Sequence, residues 1–307
     1  MVGIGGWVAQ LSLVGAIADV WLLHTIIGLS FGLVLFLVAS GFTLTFGLSR
    51  FVNLAHGATF MVAAHVATQL AGDGLPFPLV LLGATIAGAC VSLIVYALVT
   101  TRWRVVSGDA LRQVLFSFGC LLIIADLVRQ RWEGIPHLMQ PPSAFSGLVN
   151  IGDSSFPVYR FFVMGMAVLI AAAMWWLQER TRFGALVRAG ADDKEQLEAM
   201  GVRPQLLSLA VFALSGGLAG LAGGLAAPIL GASLGQEFSL LIFALVAVVI
   251  GGLGSLSGAF IASILVGLAD AYGKAALPSF ASFTIMALVI VVLAVRPGGL
   301  ISRGNLT

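Results

Sequence analysis

Charge is the scarcest property of this 307-residue sequence. Its 15 basic and 13 acidic residues make up 9% of the chain, against roughly a quarter in a soluble domain. A folded surface needs charge to stay dissolved, so the composition excludes a globular cytosolic enzyme. Lysine is scarcer still, present only as Lys194 and Lys274. A phosphate-cradling G-x-x-x-x-G-K-[ST] loop is therefore almost impossible to build. Lys274 does follow Gly273, but Leu268 stands where the first glycine belongs and Ala275 replaces the hydroxyl residue. Lys194 has no glycine before it.

Other absences narrow the field further. Cys90 and Cys120 both lie inside apolar runs, where cysteine serves as a small packing residue rather than part of a disulfide framework. His24, His56, His65 and His137 are scattered over separate segments. They form no H-E-x-x-H pair and no cluster at metal-ligand spacing. A G-x-S-x-G elbow is missing too. No catalytic residue, metal site or cofactor is expected in the chain. The net charge of +2 says little about partners, and no nucleic-acid partner is expected. The first basic residue is Arg50, so no basic n-region precedes the first apolar stretch and a cleaved secretory signal peptide is not expected.

What is present is apolar sequence, 60% of the chain, in runs long enough to cross a bilayer at about 20 residues each. Stretches such as SLIVYALVT and LVIVVLAV are continuously apolar. Spanning β-strands would alternate instead. The expected fold is all-α: a polytopic integral membrane protein of about 8–10 transmembrane helices, forming a single transmembrane domain over residues 1–307. Spans are predicted at 22–46, 56–72, 77–101, 111–128, 158–179, 205–229, 238–252, 257–272 and 280–295. Residues 1–18 read either as one more span or as an interfacial helix.

Basic residues orient this layout, because they concentrate in cytoplasmic loops. One set of alternate loops collects Arg50, Arg102, Arg104, Arg112, Arg180, Arg182, Arg188, Lys194, Arg203, Arg296 and Arg303. The opposite set holds Arg129, Arg131, Arg160 and Lys274. Eleven against four places the C-terminus in the cytoplasm and the start of the first clear span outside. Two loops are long: an outer one at 129–157, rich in Pro, Gly and Ser, and an inner one at 180–204, the most charged stretch of the chain.

Glycine is abundant, 38 residues of 307. Gly216, Gly220 and Gly224 recur at four-residue intervals, beside a row of Ser215, Ala219, Gly223 and Ala227. Such faces let helix backbones approach closely, and tight packing is the expected role. The short spans 238–252 and 257–272 are joined by GGLGSLSG. They read either as broken helices beside a transport path or as a plain helical hairpin.

Within the inner loop, ADDKEQLEAMGV reads as a short amphipathic helix. Asp192 and Asp193 suit its positive N-terminal end. Leu197 and Met200 are expected to share a face. Gly201 caps it and Pro204 prevents continuation. Docking onto a soluble partner and a solvated connector are both compatible with this spacing.

Five stretches taken together give a more specific reading. NLAHGATFM (53–61), RAGADDKEQLEAMGV (188–202), FALSGGLAGLAGGL (212–225), VVIGGLGSLSGAF (248–260) and VRPGGL (295–300) resemble, in order, the permease subunits of branched-chain amino-acid ABC transporters. The resemblance covers residues 22–301, and the Asn-x-Ala-His-Gly form is similar to the first of that system's two permease types. It implies a bacterial inner-membrane importer. A second permease, usually a longer sister, pairs with this chain. Two cytosolic ATPase subunits bind ATP and Mg, and a periplasmic binding protein delivers the solute. The cargo is then a branched-chain amino acid or a related small polar solute. Relatives of the family also carry urea, short amides and aromatic carboxylates. The other transport class, an ion-gradient-driven secondary transporter, would place acids inside its spans, and no mid-span acid is expected here: Asp126 and Asp270 lie near span ends, where a charge can reach water.

By the same resemblance Arg188, Asp192, Asp193, Glu195, Leu197, Met200 and Gly201 form an ATPase-coupling segment. Its Glu195-to-Gly201 spacing fits importer coupling loops. Gln196 and Leu197 depart from the small residues usual after that glutamate. Candidates for the translocation path or its gate are Ser40, Thr43, Thr45, Asn53, His56, Gly57, Gly251, Gly252, Gly254 and Ser255. Arg131, Trp132, His137, Gln236 and Glu237 are candidates for docking the binding protein. For the stretch from Arg50 to His56, three readings are expected: satisfying orphan groups of a non-helical backbone, lining the inner end of the path, or a polar cytosolic turn with His56 starting the next helix. Ser40, Thr43 and Thr45 could equally bond their own helix.

Overall fold

The helix that the others surround is α1, Ile4–Ser49. The computed structural model describes residues 4–49, 52–101, 110–151, 154–276 and 278–301. Residues 32–45 of α1 are buried on every side. A helix that is apolar all round belongs at the centre of a bundle, and α1 packs on the helices Val158–Arg180, Pro204–Leu230, Gln236–Gly251 and Leu256–Ala276. The helix is continuous from Ile4, so no turn separates the segment before Trp21 from the first clear span. Arg50, Arg102, Arg104 and Arg303 lie outside the described residues.

The other long helices are α2 (His56–Gly72), α3 (Phe77–Thr101), α4 (Ala110–Trp132), α5 (Val158–Arg180), α8 (Pro204–Leu230), α9 (Gln236–Gly251), α10 (Leu256–Ala276) and α11 (Ala281–Val295). Two shorter helices, α6 (Arg182–Asp192) and α7 (Lys194–Ala199), occupy the inner loop. Each expected span coincides with a helix. Among the described residues, six helices are long and apolar enough to cross a membrane. They are α3, α4, α5, α8, α10 and the Trp21–Ser49 part of α1. At 16 residues, α9 rises about 24 Å, less than the ~30 Å hydrocarbon core. Its neighbour corrects the expectation of two short spans: α10 has 21 residues and crosses unaided.

Small residues set the helix crossings. On α1 and α10, Gly28 and Gly32 face Ser263 and Gly267. A Cβ placed on Gly267 would lie 2.4 Å from Gly28 O and 2.6 Å from Gly32 Cα. The predicted row on α8 behaves alike: a Cβ on Gly220 would meet Ala84 O of α3 at 2.4 Å. The neighbouring row turns to α1 and α2. Ser215 Oγ donates to Gly41 O at 2.8 Å, and a Cβ on Gly223 would stand 2.6 Å from Phe60 O. Lipid is as apolar as leucine, so close van der Waals contact and interhelical hydrogen bonds hold such helices together.

The outer connector between α4 and α5 holds an element that the sequence reading leaves as loop. Strands β1 (Leu148–Ile151) and β2 (Ser154–Pro157) pair antiparallel, with Val149 opposite Phe156. Phe156 is buried, and one such side chain anchors the hairpin against the bundle.

Candidate functional site

Between α1 and α2 the chain is non-helical over residues 52–55, yet Asn53 and Ala55 are buried. Backbone in that position must be satisfied by protein. Asn53 Oδ1 accepts from Ala55 N at 3.1 Å, and Asn53 O accepts from His56 N at 3.2 Å. Ser117 of α4 completes the set, because its hydroxyl accepts from Leu54 N at 3.1 Å. His56 is buried, and its Nε2 donates to Val38 O of α1 at 3.0 Å. That bond fixes the tautomer and leaves Nδ1 without a partner among the described residues. Gly57 brings α2 against α9, since a Cβ there would lie 2.2 Å from Glu237 O.

The hydroxyls of α1 divide. Ser40 Oγ donates to Leu37 O, and Thr45 Oγ1 to Gly41 O and Phe42 O, so both bond their own helix. Thr43 Oγ1 has no partner among the described residues. It lines a cavity of about 30 Å³ together with Gln178, Arg188 and Gly254. One end of α1, the α9–α10 turn and the inner loop therefore meet at one place.

That turn is built on glycine. Gly252 has φ +100° and Gly254 φ +83°, backbone that an L side chain resists. Gly251 and Gly258 pack so closely that a Cβ on Gly258 would lie 1.9 Å from Gly251 O. Ser255 caps α10 by accepting from Gly258 N at 3.1 Å. The VRPGGL stretch folds back onto this turn: Leu300 N donates to Ile250 O at 2.7 Å and Ile301 N to Gly251 O at 3.2 Å. These bonds satisfy carbonyls that the end of α9 would otherwise orphan.

The inner loop is two capped helices rather than one. Thr181 caps α6 by accepting from Gly184 N. Asp193 interrupts the helix and caps α7, its Oδ1 accepting from Glu195 N at 2.8 Å and Gln196 N at 3.2 Å. A Schellman motif ends α7: Gly201 N bonds Glu198 O and Val202 N bonds Leu197 O, with Gly201 at φ +81°. Leu197 is fully buried beneath Gly190 of α6, whereas Met200 is 65% exposed. The shared face expected for the pair does not form, because the helix ends at Ala199 and Met200 is its C-cap residue. Asp192, Glu195 and Glu198 are exposed, giving the loop an acidic rim around Met200. Arg188 turns back to donate to Gln178 O and lies 3.9 Å from Glu179.

At the opposite end the candidates cluster inward. Arg131 sits over the Trp132 ring, 5.3 Å from its centroid. Trp132 and His137 both pack on His65 of α2. His137 and Ala232 exchange two backbone hydrogen bonds of 2.8 Å, pinning the outer connector to the α8–α9 turn. Glu237 is buried and accepts from Gly235 N at 2.8 Å. Gln236 Nε2 donates to Leu230 O and Gly231 O at the end of α8. Of these five residues, only Arg131 is fully exposed.

One feature is absent from the sequence reading. A cavity of about 450 Å³ opens at this end among α1, α5, α8, α9 and α10. Arg160, Asp270, Lys274, His24 and Ser30 give it polar corners, and its walls are largely apolar. Asp270 is buried at 8% exposure, six residues from the end of α10 at Ala276. Lys274 Nζ contacts its Oδ2 at 2.6 Å. The i,i+4 spacing of Asp270 and Lys274 was the available signal. Nothing in the sequence tied either residue to Arg160.

Over 297 residues the chain is 26% identical to the high-affinity branched-chain amino acid transport system permease protein BraD of Pseudomonas aeruginosa, covering 90% of this chain and 94% of the relative. It is likewise 26% identical, over the same shares, to the corresponding permease protein LivH of Escherichia coli K12. Among solved structures it aligns with an inward-facing putative metal-chelate type ABC transporter at 14% identity and TM-score 0.49, over 92% of this chain and 99% of that one. Residues 25–295 match the family described as branched-chain amino acid transport system, permease component; this multi-pass membrane chain belongs to that family, and its role is transport.

Proposed function

We propose that the chain is one of two membrane-spanning subunits of an ATP-binding-cassette importer of the bacterial inner membrane, carrying branched-chain amino acids. It pairs with a longer sister permease, two cytosolic ATPases sit beneath the pair, and a periplasmic binding protein supplies solute at the other end. ATP and Mg are held by the ATPases. The α6–α7 segment faces the cytosol with the C-terminus and receives their movement. The observation that carries this reading is the α6–α7 pair itself. Leu197 ties it to the bundle while Asp192, Glu195, Glu198 and Met200 are presented outward. A segment that is firmly anchored on one side and unpartnered on the other suits the transmission of force.

In this account ATP closes the two ATPases, the α6–α7 segment moves, and the permease pair exchanges outward-open and inward-open states. Ligand and ATP must bias the same two-state element for coupling to occur. Beneath α6 the Thr43–Arg188–Gly254 cavity links the loop to α1 and the glycine turn, the place where such movement would enter the bundle. The Asn53–His56 connector, satisfied by its own side chains and Ser117, serves as a gate support rather than as a solute ligand.

The test is gentle extraction of the tagged chain from its native membrane. Two ATPases and a second permease should co-purify. A chain that emerged alone, and moved solute into liposomes without ATP, would point instead to an ion-driven transporter.

A further inference from the structure

The 450 Å³ cavity lies within the range of small-ligand pockets, and it gathers three charged side chains, Arg160, Asp270 and Lys274, at one end of the bundle. Arg160, in the first turn of α5, donates to Ser30 Oγ at 2.9 Å. Among the described residues no carboxylate lies within 4.0 Å of it. One neutral hydroxyl uses one of five guanidinium donors. A cation inside a membrane helix bundle is expensive, and by default it marks a functional site. Across the same cavity Asp270 offers a carboxylate. Lys274 engages its Oδ2, and a carboxylate accepts on both oxygens. Between these two poles the walls come from Ile27, Phe31, Val34, Leu240 and Phe243.

We infer that this cavity binds a zwitterionic α-amino acid with an apolar side chain, its carboxylate on Arg160, its ammonium on Asp270 and its side chain against the α1 and α9 walls. The inference rests on the importer reading above and adds the place where the solute pauses. Lys274 keeps the site one charge positive, which favours the carboxylate as the leading group. Sharing Asp270 with Lys274 weakens its hold on the ammonium. Such a site releases what it binds, as a conduit must.

The experiment uses the whole complex in liposomes, fed by its binding protein, with labelled leucine as probe. Arg160→Gln and Asp270→Asn are each expected to lower ATP-driven uptake by about tenfold or more, the scale of one lost charge-assisted hydrogen bond. ATPase activity without solute and subunit co-purification should stay at wild-type level. Arg129→Gln, at a surface arginine of the same end paired with Asp126, should import normally. A second measurement keeps the cavity charges intact: Ser30→Cys, with Cys90 and Cys120 replaced by alanine, should react with a small thiol reagent, and leucine should slow that reaction. Wild-type-like import by both charge variants, or no protection by leucine, overturns the cavity site alone. A wild-type complex that takes up neither leucine nor isoleucine nor valine overturns the substrate reading beneath it.

Discussion

Replacing Gly267 by alanine tests whether backbone contact holds the bundle's central crossing. The added methyl would stand 2.4 Å from Gly28 O and 2.6 Å from Gly32 N and Cα. All three are backbone atoms of α1, so no rotamer relieves the clash. Comfortable separations are about 3.5–4.0 Å, so α10 must retreat by roughly 1 Å and lose the close packing along that seam. Overpacking of this kind costs about 1–3 kcal/mol, and lipid offers no hydrophobic gain to offset it. Gly165 on α5 is the control, because a Cβ there meets nothing within 4 Å, and alanine is the better helix former by up to ~1 kcal/mol. Thermal unfolding of the purified complex in detergent should put Gly267→Ala well below wild type and Gly165→Ala at or above it. Equal melting of the two variants would refute the reasoning. The same seam lies beside the cavity corners Ser30 and Asp270, so uptake should fall with Gly267→Ala even below its melting temperature.

Three further outcomes are expected. Asn53→Ala removes the acceptor for Ala55 N; leucine uptake should fall while co-purification of partners persists, and unchanged uptake would remove Asn53 from the gate. Leu197→Ala hollows out the α6–α7 anchor and should cost about 2–5 kcal/mol locally, read as faster proteolysis of the inner loop and as ATP hydrolysis that no longer responds to solute. Glu195→Lys reverses charge on the exposed rim without touching that anchor; it should weaken ATPase retention during purification and leave the melting temperature of the permease pair unchanged.

Much of the architecture was legible because a membrane interior leaves few options. Continuous apolar runs can only be helices, and all nine predicted spans coincide with helices. The rows at Gly216 and Ser215 were readable from four-residue spacing, although which helix each row meets was not. The inner loop shows where spacing fails. A Leu197–Met200 face assumed one uninterrupted helix, whereas Asp193 prefers to cap and the Schellman turn at Gly201 places Met200 outside. The β-hairpin at 148–157 was hidden by its brevity. The Arg160–Asp270 cavity was hidden for a stronger reason. Its corners come from α1, α5 and α10, separated by more than a hundred residues, and only tertiary packing brings them together. The same packing turned Trp132, His137 and Glu237 inward, residues that polarity alone had suggested for an outer surface.

In the importer proposed above, α7 meets the ATPases. A photo-cross-linker introduced at Glu198, on the exposed rim, tests it directly in native membranes. A matched probe at Leu138, 83% exposed on the connector at the other end of the bundle, serves as the reference. The account predicts an adduct between position 198 and an ATP-hydrolysing subunit, and none from position 138. An ATPase adduct from position 138, or none from 198 in a complex that imports leucine, would contradict it.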